Sequence, residues 1–102
     1  MSNKDSLELF LNKFKSVGED KFYKFLISYG MNKIAENKKN NPAVELLDFH
    51  DNYVKLYRRE NDSNCLELAR IFRKASHKIY RIMIKKNLIE KNNKFLNVIK
   101  WV

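Results

Sequence analysis

At 102 residues, with 44% hydrophobic and 32% charged residues, the chain is long enough for one hydrophobic core and too short for two ordinary domains. Residues 1–102 therefore read as a single domain. Two Gly and one Pro against thirteen aromatic residues argue against an all-β fold, which needs turn residues at every strand junction. Lys and Arg outnumber Asp and Glu by 21 to 12, a formal charge of +9 that favours polyanionic partners such as nucleic acid or an anionic membrane surface.

The abundance of Lys and Asn beside scarce Ala and Gly is a bias of AT-rich coding, as in a low-GC microbe or one of its viruses or plasmids. The single cysteine, Cys65, rules out an internal disulfide. The start of the chain, Met1 to Asp5, is polar and lacks the apolar core of a signal peptide, and no apolar run is long enough to span a bilayer. A reducing, intracellular (cytoplasmic) location is the expectation.

In chain order, the first helix is expected to start at Asp5 or Ser6, with Asp5 and Glu8 spaced as a capping box. Leu7, Phe10, Leu11 and Phe14 then share one narrow face, and Ser16-Val17-Gly18 breaks the pattern. A second helix is predicted from about Glu19 to Asn37. Its apolar residues, among them Phe22, Tyr23, Phe25, Leu26, Tyr29 and Ile34, cover more than half the circumference and so predict two neighbours. Gly30 inside it costs roughly 1 kcal/mol relative to Ala unless it admits a close helix crossing.

Lys38 to Asn41 is a polar break, and Asn41-Pro42 supplies a cap and a first helical residue. The third helix is predicted to run to about Arg59. Leu46, Leu47, Phe49, Tyr53, Val54, Leu56 and Tyr57 fall on one side of it, with Glu45, Asp48, Asp51, Asn52, Lys55, Arg58 and Arg59 on the other. Val44 is the misfit. Glu60 to Asn64 forms a turn, and Asn64 with Glu67 has the spacing of another capping box. A fourth helix then reads unbroken to about Lys86, with Cys65, Leu68, Ala69, Phe72, Ala75, Ile79 and Met83 on its core face and Ile71, Tyr80 and Ile82 beside them. Residues 88–102 suit either a short helix (Phe95, Val98, Ile99, Val102) or a small hairpin.

The expected architecture is all-α, a small bundle of four to five helices with short loops that set neighbours antiparallel. Phe10-x3-Phe14 and Phe49-x3-Tyr53, each followed by a turn and a longer helix, echo one another. Two packed helical hairpins would explain the echo, and so would amphipathic spacing shared by unrelated helices.

Catalytic signals are missing. There is no nucleophile motif and no phosphate-cradling Gly-rich loop, and the pair Asp48 and Asp51 shares an exposed face with Lys55 nearby. A non-enzymatic binding protein is expected, with no cofactor. His50, Cys65 and His77 are isolated, so no metal site is expected either. His50 reads as a packing residue and Cys65 as a small buried hydrophobe.

The sharpest feature is Arg70 to Lys86. It holds Arg70, Arg73, Lys74, Lys78, Arg81, Lys85 and Lys86, with His77 among them and no acid. Residues 62–102 carry ten basic and three acidic residues (+7), whereas residues 1–61 carry eleven and nine (+2). At helical spacing these bases form a stripe opposite the apolar face, able to reach successive phosphates with release of counterions. Arg70, Arg73, Lys74, His77, Lys78, Arg81 and Lys85 are the candidate nucleic-acid-binding residues. A solvated face is the plain alternative, but like charges four apart destabilise a helix slightly when no acid offsets them.

The order Leu68-Ala69, Ser76 to Arg81, Leu88-Ile89-Glu90 looks like a winged helix-turn-helix over the last third of the chain. The turn would fall on Arg73-Lys74, however, and the uninterrupted pattern from Cys65 to Met83 predicts one continuous helix. The alternative function is protein–protein interaction or self-association into a homo-oligomer, through an apolar and aromatic groove between helices. Tyr23, Tyr53, Tyr57 and Trp101 are its candidate residues, being of types enriched at interfaces.

Overall fold

A computed structural model describes residues 3–36 and 41–86, which form four helices and no strand. These are α1 (Asn3–Val17), α2 (Glu19–Ala35), α3 (Pro42–Glu60) and α4 (Ser63–Lys85). Residues 88–102, with their choice between a short helix and a hairpin, lie outside the described residues.

The breaks follow local chemistry. Gly18 separates α1 from α2 at φ +87°, a left-handed backbone value that glycine adopts without steric cost. Asn41 caps α3 through its side-chain oxygen, which accepts from Ala43 N at 2.9 Å and Val44 N at 3.3 Å, and Pro42 follows in the first turn. Asn61 ends α3 in the left-handed region, its N–H donating to Tyr57 O.

Two starts differ from the sequence expectation. α1 begins at Asn3 rather than at Asp5 or Ser6, so Asp5 lies within its first turn rather than at the cap. α4 is capped by Asp62 and not by Asn64, whose own N–H donates to Asp62 Oδ1 at 2.9 Å. Asp62 has the extended backbone that a cap requires, and this places Asn64 inside the helix. α2 ends at Ala35 rather than Asn37.

Packing centres on α4. Its ten buried residues, all seven of the expected core face among them, occupy about half the circumference at 100° per residue. α3 runs antiparallel to it: Ala43 lies opposite Ser76, while Phe49 and Tyr53 stack on Phe72 with ring centroids 5.3 and 5.5 Å apart. α2 runs in the same direction as α4, with Phe22 edge-on to Phe72 at 5.7 Å and Gly30 seated against Ile79. α1 closes the remaining side through Phe10, which meets Phe22, Phe25, Phe49 and Phe72. Such offset aromatic contacts contribute about 0.5–1.5 kcal/mol each beyond the area they bury.

Side-chain hydrogen bonds among the described residues join the helices. Ser76 Oγ, fully buried, donates to Ala43 O at 2.6 Å. Tyr53 Oη donates to Leu7 O at 2.7 Å and ties α3 to α1. Tyr29 donates to the Glu45 carboxylate, tying α2 to α3, and burial together with that carboxylate pushes its hydroxyl well above the usual tyrosine range. Among the described residues no buried side-chain polar atom lacks a partner. No helix among them is long and apolar enough to cross a membrane.

Candidate nucleic-acid interface

The half of α4 that the bundle leaves uncovered carries the basic stripe. Arg70, Lys74, Lys78, Arg81 and Lys85 are all exposed and fall within roughly 80° of one another at helical spacing. From Arg70 to Lys85 the row extends about 22 Å along the helix axis. Arg73 and His77, expected on the same face, are half-buried. Helical spacing sets them beside Ser76 and Tyr80, on the flank nearer α3. The stripe proper is thus five residues rather than seven.

The charges of the stripe are not neutralised within the bundle. Ion pairs among the described residues join Lys33 to Glu36 and Arg59 to Glu60, and His50 is hydrogen-bonded to Asp51; none of these involves a base of α4. The ammonium of Lys74 lies 5.6 Å from the centroid of the Tyr23 ring, a cation–π contact across the α2–α4 seam. Glu19, Asp20 and Lys24 share with Tyr23, Ile71 and Lys74 a recess of about 210 Å³, and on α4 itself exposed Glu67 precedes Arg70 by three residues, so the acids around the stripe stand at its Arg70–Lys74 end. Lys78, Arg81 and Lys85 continue the row beyond that recess.

His77 adds little charge near neutral pH. Burial, and then the neighbouring Arg81 guanidinium, lower its pKa from the ordinary 6.5. Cys65, fully buried at the start of α4, is shifted the other way: burial first, then Asp62 and Glu60, raise its thiol above 9.0.

Of the tyrosines expected at a protein interface, Tyr53 is 0% exposed and belongs to the core. Its ring stacks on Phe72 and its hydroxyl is consumed by Leu7 O, so it presents no surface. Tyr23 and Tyr57 are half-buried, and Trp101 lies outside the described residues. An apolar groove does exist, but between α1 and α3: Leu7, Leu11 and Leu56 form its floor and Glu8, Arg59 and Glu60 its rim, enclosing about 310 Å³. The i, i+4 pair Leu7 and Leu11 was visible in the sequence; its position beside Leu56 depends on how the helices pack.

α4 is continuous through Arg73-Lys74, which excludes the helix-turn-helix bend at that point. Among the described residues no group of three or more His, Cys, Asp or Glu side chains is placed to hold a metal ion. No protein-family model, curated protein or solved structure matches the chain.

Proposed function

We propose that the protein is a non-enzymatic binding protein that engages nucleic acid through the outer face of α4. One observation carries this reading: five exposed bases, Arg70, Lys74, Lys78, Arg81 and Lys85, stand in a single row without an acid partner in the described bundle. A helix that needed only solubility would gain from interspersed Glu at i±4, and this one carries none between Arg70 and Lys86. The concentration of +7 of the total +9 in residues 62–102 supports the same reading.

The test is binding to DNA and RNA as salt is raised, since each neutralised phosphate releases a counterion. The triple variant Arg70→Glu, Lys74→Glu, Arg81→Glu should abolish binding and keep the helical circular dichroism spectrum, because all three side chains project away from the core. Absence of salt-sensitive binding by the wild-type protein at low ionic strength would refute the proposal. A protein partner or self-association then comes first, and the groove floored by Leu7, Leu11 and Leu56 favours that reading.

A further inference from the structure

The composition of the α4 surface says which form of nucleic acid suits it. Apart from its bases and His77, the residues of α4 between Leu66 and Lys85 that are not buried are only Leu66, Glu67, Ile82 and Ile84, the two isoleucines packed against the core. This surface offers no Asn, Gln, Ser or Thr to a base edge: the serine within this stretch, Ser76, is buried with its hydroxyl donated to Ala43 O, and Tyr80 is buried as well. Side-chain amides and hydroxyls, with bidentate Arg, are the main readers of base identity in a groove, whereas Lys and Arg in a row are sufficient for phosphate.

Single-stranded nucleic acid is generally held by stacking its bases on exposed aromatic rings. Among the described residues the stripe provides none. Phe72 and Tyr80 are buried in the core, and Tyr23 of α2, which meets the stripe, is half-buried with the Lys74 ammonium over its face.

Building on the nucleic-acid reading, we infer that the ligand is a duplex, gripped along its phosphate backbone by Arg70, Lys74, Lys78, Arg81 and Lys85 without recognition of base sequence. Five contacts set a ceiling on the salt dependence: the slope of log K against log salt is about −4.5 for duplex DNA. Each basic residue changed to Gln should reduce the magnitude of that slope by about one unit.

Fluorescence anisotropy on the full chain tests this with three probes: two DNA duplexes of equal length and unrelated sequence, and one of their single strands. The expected result is affinities for the duplexes within about threefold of each other and at least about tenfold weaker binding of the single strand. The double variant Arg70→Lys, Arg81→Lys separates phosphate contact from base reading, because Lys keeps the charge and loses the bidentate fork. It should bind within about threefold of wild type. A tenfold preference for one duplex, a tenfold loss in the double variant, or single-strand binding as tight as duplex binding would each overturn the duplex inference and leave nucleic-acid binding standing. Failure of all three probes to bind at low salt would overturn the duplex inference, and failure of RNA as well would overturn the nucleic-acid reading.

Discussion

Gly30 of α2 sits directly beneath Ile79 of α4: a methyl group at residue 30 would stand 2.5 Å from Ile79 Cδ1 and 2.6 Å from Cγ1. The absent side chain is therefore what lets the two helices run this close. Gly30→Ala gains roughly 1 kcal/mol of helix preference. It should nevertheless destabilise the protein by about 1–3 kcal/mol through overpacking against a buried branched residue. Ile79→Ala alone should cost about 2–5 kcal/mol. In that background Gly30→Ala should become neutral or stabilising, because both clashing atoms are gone. Denaturant unfolding of the four proteins of this cycle measures the coupling; additive effects would mean that the helices do not meet at this point.

The cap of α4 separates two readings of the same turn. Asp62→Ala removes the acceptor for Asn64 N and should cost about 1 kcal/mol, within the usual range for a lost N-cap. Asn64→Ala should change stability by less than about 0.5 kcal/mol, as expected of a substitution away from a cap. The reverse order in thermal or denaturant melts would restore Asn64 as the cap.

Cys65 is fully buried, and its thiol is raised by that burial and by the nearby acids. Labelling by a thiol reagent must then wait for the helix to open. If opening costs about 3 kcal/mol, the native rate should be on the order of a hundredfold below that of the unfolded chain. The raised pKa has a consequence for stability. The folded state keeps the proton that the unfolded chain loses above 9.0, so this contribution is intact below 9.0 and is lost as pH rises through the folded value. Cys65→Ala should flatten that alkaline decline. Native labelling as fast as denatured labelling would place Cys65 at the surface.

His77 acts at the other end of the scale. Its pKa is lowered in the fold, so on acidification the unfolded chain takes up a proton first, beginning near 6.5. Stability therefore falls as pH drops from 6.5 toward the folded value and is unaffected by this group well above 6.5. Melting temperatures taken from about pH 7 to about pH 5 should decline more steeply for wild type than for His77→Gln. Parallel curves would show that His77 titrates as it does in the unfolded chain.

What the sequence determined by itself is the part of the structure that repeats along a single helix. Helical period put Cys65, Leu68, Ala69, Phe72, Ala75, Ile79 and Met83 on one face of α4, and all seven are buried. The same period set Arg70, Lys74, Lys78, Arg81 and Lys85 opposite them, and all five are exposed. Asn41-Pro42 marked the start of α3 because capping is a contact between near neighbours in the chain. Tertiary structure decided everything that depends on which helix lies beside which. Helical period also sets Ser76 between Cys65 and Ala69 on the buried arc of α4, but its acceptor, Ala43 O, is supplied by α3 and is visible only in the packed structure. Tyr53 and Tyr57 share an apolar face in the sequence, yet the neighbouring helices cover Tyr53 wholly and Tyr57 in part. The groove at Leu7, Leu11 and Leu56 exists because packing sets this part of α1 beside the end of α3, and Gly30 found its partner because α2 runs alongside α4. Periodicity encodes the direction in which a side chain points from its own helix. What it meets there is set by packing between residues tens of positions apart, which no local spacing records.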